Sequence, residues 1–254
     1  MARQVLGDSV SNRIDPDMLE TVHRDHLDRY RFVKDLAVGK RVLEIGCALG
    51  YGSAQLAAVA SEVFAIDTCD TAIEYARFRY AGTNLTFQKM DACSLALEDK
   101  SFDLAVSFEV IEHVTQAMSF LASIRKVLKP GGMAVLSTPN RLVASPNGIL
   151  SDPTHVCEYS PLEFAGLLRS AGFCEVCLYG QHLPMGVWKV HGLSTGLSRL
   201  DIFGLRRWLS GRWKSWILAN IVRIRFGKDV STFAATQIDQ DLGSAMVQIA
   251  VCRV

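Results

Sequence analysis

The chain has 254 residues, 49% of them apolar, and a formal net charge of +1. That length suits one large domain or two small ones, the apolar share allows a sizeable core, and the near-zero charge singles out no partner. No apolar run reaches the 18 residues that suggest a membrane span.

In chain order, the start "MARQVLGDSVSNRIDPDM" lacks a basic stretch followed by an apolar one, so no signal peptide is expected. Residues 17–37, "DMLETVHRDHLDRYRFVKDLA", predict a helix within an N-terminal cap spanning 1–38. From residue 40, apolar strand-like runs alternate with helical patterns. "KRVLEIG" precedes a helical stretch at 52–60, and "EVFAID" precedes a helix at 70–81. "LTFQKMD", "FDLAVSF" and "MAVLSTP" follow, with a helix at 115–128 between the last two. This βαβαβ order predicts an α/β fold with a parallel sheet covered by helices. "SPLEFAGLLRSAGF" reads as a further helix, with Ser160 as N-cap, Pro161 at its first position, Glu163 completing a capping box and Gly172 ending it. "CEVCLYG" and "SAMVQIAVCRV" are the last two expected strands. Cys174 and Cys177 are three apart in the first of these, where regular alternation sends them to opposite faces and argues against a metal or redox pair. The seven cysteines, scattered and odd in number, read as reduced thiols of a cytoplasmic protein.

Between those two strands lies a segment of different character. Residues 186–228 carry nine lysines and arginines against one acid, and all four tryptophans, Trp188, Trp208, Trp213 and Trp216. The expectation is a basic helical insertion at about 185–240 within a single domain of residues 1–254. Such a segment could lie on an anionic membrane surface, grip a phosphate-rich substrate, or cap the active site with its arginines in solvent.

"VLEIGCALGYG" follows the first strand and opens a helix. Small residues there let the backbone turn tightly and approach a ligand at the helix N-terminus. Asp67 ends the second strand, where an acid can accept from two ribose hydroxyls. Asp91, with Ala92, ends the third, where an acid can bind an adenine amine. The spacing is not that of a dinucleotide fingerprint. Glu44, just before the loop, suits a cationic ligand better than a pyrophosphate.

On these residues the chain resembles the class I S-adenosylmethionine-dependent methyltransferases, over nearly all of 20–180 and the final strand. "LEIGCALGYG", with Glu44, Gly46, Ala48 and Gly50, stands at the methionine end, Asp67 at the ribose, and "MDA" with Asp91 and Ala92 at the adenine. "LKPGGMAVLSTPN" matches the turn and strand after the fourth helix. The resemblance departs at Ala48, where the family has its middle glycine. It implies S-adenosylmethionine as methyl donor. It also implies a Rossmann-like, mostly parallel seven-stranded sheet with helices on both faces and an antiparallel last strand.

"FEVIEHV", residues 108–114, places Glu109, Glu112 and His113 at the end of the fourth strand. At i, i+3 and i+4 they would share one face of a helical turn beginning at Glu109. His155, in "SDPTHVCEYSPLEF", follows the fifth strand. Carboxylates and imidazoles so placed are candidate ligands of a divalent metal such as Mg²⁺ or Mn²⁺. Alternatively His113 or His155 serves as base, with Glu112 beside it, and Glu109 acts only through hydrogen bonds on the cofactor side.

The E-x-x-E-H set with its later histidine resembles two methyltransferase groups. One is the small-RNA 3′-end 2′-O-methyltransferases, whose set binds a metal. The other is the ubiquinone-pathway catechol O-methyltransferases, which share "EVIEHV". "DHLDRYRF" with "NGILSDPTHVCEYS" is similar to bacterial methyltransferases of glycan and secondary-metabolite clusters. There His26, Arg29 and Tyr30 would cover cofactor or substrate. These resemblances agree on a hydroxyl acceptor. They imply a small-molecule or glycan partner, with an RNA end or polyprenyl catechol as the alternative. A DNA amine methyltransferase is set aside, because "SFEV" stands where its N/D/S-P-P-aromatic motif would lie.

Overall fold

The computed structural model describes residues 20–182 and 237–254. The expected basic insertion at 186–228 and the first residues of the cap therefore lie outside the described residues. The chain divides into two compact units. The described part of one is Tyr30–His182 with Ile238–Val254, which holds the sheet. That of the other is residues 20–29, the helical start of α1 (Glu20–Ala37), with Gln237.

The sheet unit follows the expected alternation. After α1 come β1 (Arg41–Ile45), α2 (Tyr51–Ala57), β2 (Glu62–Asp67), α3 (Asp70–Tyr80), β3 (Leu85–Lys89) and β4 (Phe102–Phe108). Next are α4 (Ala117–Val127), β5 (Leu128–Pro139), the single turn α5 (Arg141–Ala144), α6 (Pro161–Ser170), β6 (Cys174–His182), β7 (Gln237–Asp239) and β8 (Val247–Arg253). Among the described residues the sheet has eight strands in the order β3-β2-β1-β4-β5-β8-β6-β7. β1 to β5 pair in parallel, and β8 runs antiparallel between β5 and β6. The seven strands and antiparallel last strand expected from the sequence are present, and β7 is added at the edge. Its three residues are too few for apolar alternation to reveal.

The central strands bury both faces, which is why they read as continuous apolar runs rather than alternating ones. On one side Leu43, Ile45, Ile66 and Phe102 pack with Phe120, Leu121 and Ile124 of α4 and Phe164 and Leu168 of α6. On the other, Val42, Val63, Leu104 and Val106 pack with Leu56, Ile73, Ala76, Tyr30 and Val33. Each buried valine, leucine, isoleucine or phenylalanine among them contributes roughly 1.5–3 kcal/mol. The capping box of α6 forms as the sequence suggests: Glu163 N donates to Ser160 Oγ, and Ser160 N donates to Glu163 Oε2 at 2.8 Å.

β6 departs from the simple alternation. Cys174 pairs with Arg253 and Cys177 with Val251, two positions apart on β8, and Glu175 between them has φ 47°. A bulge has inserted one residue and reset the pleat, so both cysteines lie on one face instead of opposite faces.

The strand order reverses between β1 and β4, on either side of which the chain runs outward. Ligands of open α/β sheets bind at the carboxyl ends of strands beside such a reversal. Every candidate site residue on β1 to β5 falls at that edge.

Candidate active site

The loop after β1 is shaped by three left-handed residues, Gly46 (φ 77°), Ala48 (φ 47°) and Gly50 (φ 80°). A Cβ on Gly46 would lie 2.4 Å from Val110 Cγ2, and one on Gly50 would lie 2.7 Å from Ala76 Cβ. These two positions need glycine for space as well as for conformation. Ala48 keeps its methyl in the left-handed region, a conformation that costs an L-residue roughly 1–2 kcal/mol. Asp67 offsets part of that cost. Its Oδ2 accepts from Ala48 N at 2.9 Å, and its Oδ1 from Cys69 N at 2.9 Å, so the carboxylate ties the glycine loop to the end of β2. Asp91, at the end of β3, accepts from Cys93 N at 2.8 Å and caps a short turn over Ala92–Ser94.

Glu44 lies beneath this loop, 1% exposed, and accepts from the Tyr30 hydroxyl at 2.6 Å. Burial pushes its carboxyl up to about 7, against the lowering influence of the nearby Ser53 and Tyr30 hydroxyls. Among the described residues nothing gives its Oε2 a hydrogen bond of normal geometry. Burial and the Glu44 carboxyl also push the Tyr30 phenol well up. Tyr30 thus reaches the site through Glu44, with its ring packed edge-on to Tyr51 and Phe108. His26 and Arg29 belong to the other unit.

On the acceptor side the expected helical turn does not begin at Glu109. Glu109 is itself left-handed (φ 54°), and a three-residue 3₁₀ turn, Ile111–His113, follows. The three residues therefore do not share one helical face. Glu109 turns back onto β5, where Ser137 Oγ donates to its Oε1 at 2.7 Å. Glu112 points inward, 0% exposed, and accepts from Thr138 Oγ1 at 3.1 Å. His113 faces outward beside His155, their ring centroids 4.8 Å apart and nearly perpendicular. Ligand atoms of Glu112, His113 and His155 all lie within 4.8 Å of one another, and Glu109 is not part of that group. Ligands about 2.1 Å from one ion stand roughly 3 Å apart, so the three would close up by side-chain rotation to hold a metal.

Both histidines are fixed through Nδ1. That of His113 lies 3.1 Å from the Thr154 carbonyl, and that of His155 lies 2.6 Å from Glu158 Oε1. The sequence reading did not single out Glu158, whose signal was the H-x-x-E spacing of "HVCE". It is 2% exposed and also accepts from Ser145 Oγ, from Ser151 N at 2.8 Å and from Ser151 Oγ at 2.5 Å. Burial raises its carboxyl, but the hydrogen bonds from Ser145, Ser151 and His155 outweigh that and hold it below the ordinary range. The loop carrying His155 and Glu158 is fastened to the 3₁₀ turn after β4 by backbone bonds from Val156 N (2.7 Å) and Cys157 N (3.2 Å) to the Glu112 carbonyl.

Residues 43–136 match a methyltransferase domain family. Over 235 residues the chain is 32% identical to a Mycolicibacterium smegmatis protein described as a probable S-adenosylmethionine-dependent methyltransferase, covering 90% of this chain and 88% of that one. The chain belongs to the S-adenosylmethionine-dependent methyltransferases. This methyltransferase is also 33% identical over 137 residues to a ubiquinone biosynthesis O-methyltransferase of Roseobacter denitrificans, a match covering 51% of this chain and about half (55%) of that relative. A solved Thermotoga maritima methyltransferase, possibly acting on histamine nitrogen by its description, superposes with a TM-score of 0.62 over 91% of both chains at 19% identity. That likeness carries the fold alone. The residues of this methyltransferase fit its methyl donor. A buried carboxyl oxygen without a hydrogen bond of normal geometry suits a cationic group, and the two glycines let the loop turn tightly against Val110, Ala76 and Phe87 at the strand edge. Among the described residues, no helix is long and apolar enough to cross a membrane.

Proposed function

We propose that this methyltransferase methylates a hydroxyl group on a sugar, glycan or secondary metabolite. The observation that carries this reading is the pair of imidazoles at the carboxyl edge of β4 and β5, each held through Nδ1 and so presenting Nε2. A hydroxyl must lose its proton as it is methylated, and a neutral imidazole with a bare nitrogen is suited to take it. Glu44 would hold the cationic end of the donor. The loop of Gly46, Ala48 and Gly50 would lie along the methionine, Asp67 would accept from the ribose hydroxyls, and Asp91 with Ala92 would meet the adenine. Glu109, bonded to Ser137, supports the cofactor side. When bound, the donor supplies an electrophilic methyl on a sulfonium. The chain aligns the acceptor oxygen with it and removes the proton.

Glu112, His113 and His155 also have the ligand types for Mg²⁺ or Mn²⁺, which would lower the acceptor's pKa and favour a vicinal diol. The basic, tryptophan-bearing composition of residues 186–228 supports contact with an anionic membrane surface, and the scattered cysteines support a cytoplasmic enzyme at that membrane's periphery. An RNA end is the less favoured partner, and it would betray itself by a steep salt dependence of binding.

The test uses methyl-labelled donor with sugar, catechol and amine acceptors, with and without chelator. Label in an ether linkage is expected. Label on amines alone would overturn the hydroxyl reading. Full activity in chelator assigns the proton to a histidine, whereas loss of activity restored by Mg²⁺ or Mn²⁺ assigns the metal-assisted route.

A further inference from the structure

We infer that Glu158 is the positioning residue that makes His155, rather than His113, the base of this site. The inference rests on the reading of the histidine pair as the proton acceptor and goes one step beyond it.

An ionised carboxylate only accepts hydrogen bonds. Its 2.6 Å contact with His155 therefore places the proton on Nδ1 and leaves the lone pair on Nε2. Glu158 is itself over-determined. Ser145 Oγ, Ser151 N and Ser151 Oγ all donate to it, so a buried charge is solvated by fixed dipoles rather than by water. Four donors from three residues leave the carboxylate little freedom to swing away, and they hold the imidazole ring in one orientation.

His113 is differently placed. Its Nδ1 meets a neutral carbonyl, that of Thr154, at the longer distance of 3.1 Å. The same tautomer is favoured there, but the carboxylate behind that ring, Asp152, reaches it only at one remove, through the Thr154 hydroxyl that donates to Asp152 Oδ1 at 2.6 Å and lies 3.4 Å from His113 Nδ1. Charge-assisted hydrogen bonds are about twice as strong as neutral ones. His155 is therefore the ring whose tautomer and orientation are set directly by a charge-assisted bond, with Nε2 left open to the acceptor. His113, 4.8 Å away and nearly perpendicular, is left to bound the acceptor's position. The proton moves from the acceptor oxygen to His155 Nε2 and later to solvent. Glu158 is ionised before and after and does not take it.

The variant that tests this is Glu158→Gln, which keeps size and an acceptor oxygen but removes the charge. Glu158→Ala serves as a harsher companion, with thermal unfolding reporting whether it folds. Steady-state methyl transfer is measured under the metal conditions at which wild type is fully active. The expected result for Glu158→Gln is a fall in kcat of tenfold or more with acceptor KM changed less than twofold. His113→Ala should lower kcat less than Glu158→Gln does. A second readout is independent of turnover: ¹⁵N-histidine spectra recorded in chelator should show His155 as the Nδ1–H tautomer in wild type. In Glu158→Gln it should be a mixture with Nε2–H. A structural role alone would lower the unfolding temperature and leave both kcat and the tautomer unchanged. That outcome, or an Nε2–H tautomer in wild type, overturns the inference. His155→Ala separates the two levels. If it is inactive while Glu158→Gln is fully active, the positioning role fails and the base survives. If it is as active as wild type, the reading of His155 as base fails with it.

Discussion

Replacing Glu44 with glutamine should flatten the pH dependence of the cofactor-free protein's stability. The carboxyl sits on β1, closed from solvent, accepts from the Tyr30 hydroxyl and has the Ser53 hydroxyl beside it. Burial lifts it from 4.5 to about 7 in the folded chain. A group raised on folding contributes stability that is complete below its unfolded pKa. That stability is lost as the pH climbs through the folded value. The loss therefore develops between about pH 4.5 and 7 and is complete above that. At about 1.36 kcal/mol per pKa unit it amounts to as much as about 3 kcal/mol. For a chain of this size each kcal/mol moves the unfolding temperature by roughly 2–4 °C, so the full effect is about 6–12 °C. The assay is thermal unfolding of wild type and Glu44→Gln from pH 5 to 8. The difference between the two, rather than either absolute curve, should shift in favour of the variant as pH rises. Saturating S-adenosylmethionine should narrow that shift, because a cationic ligand stabilises the ionised form. Its binding near pH 7 should also release a proton, visible as a buffer-dependent calorimetric enthalpy. Parallel curves for the two proteins across that range would refute the reasoning.

Asp67→Ala removes an acceptor offered to the ribose and frees Ala48 N and Cys69 N; donor affinity measured by calorimetry should fall at least tenfold, since hydrogen bonds to a charged group contribute roughly 1.5–3 kcal/mol each. Ala48→Gly relieves a left-handed alanine at φ 47° and should raise stability by about 0.5–1 kcal/mol in urea unfolding, with donor binding retained. Gly50→Ala forces a Cβ to within 2.7 Å of Ala76 Cβ at φ 80°; it should lower the urea midpoint by the equivalent of about 1–3 kcal/mol and weaken donor binding.

The sheet and the tight loop after β1 were legible because their signals are local. Apolar runs such as "EVFAID" and "FDLAVSF" match β2 and β4 residue for residue, since strands buried on both faces carry the pattern in their own sequence. Ser160, Pro161 and Glu163 encode a helix start within four residues. The acceptor side was less legible because its conformation is not local. E-x-x-E-H has helical spacing, but Ser137 on the neighbouring strand holds Glu109 in a left-handed turn, and Thr138 draws Glu112 inward. The bulge at Glu175 likewise depends on how β6 meets β8. The full set of Glu158 donors could not be read at all. Ser145 and Ser151 lie 13 and 7 residues before it, and only the folded loop makes them its neighbours.

One residue links the two halves of the proposed acceptor site. The Glu112 side chain reaches β5 through Thr138, while its carbonyl receives Val156 N and Cys157 N from the loop that carries His155 and Glu158. His113, next in sequence, takes its orientation from Thr154 of that same loop. The end of β4 and the loop after β5 are therefore braced against each other at three points, by backbone as well as side-chain bonds. Neither histidine can shift far without disturbing the element that holds the other. A hydroxyl acceptor needs that arrangement more than a readily methylated thiol would. Its oxygen becomes a competent nucleophile only as the proton leaves, so base and methyl must be aligned on one atom at the same moment.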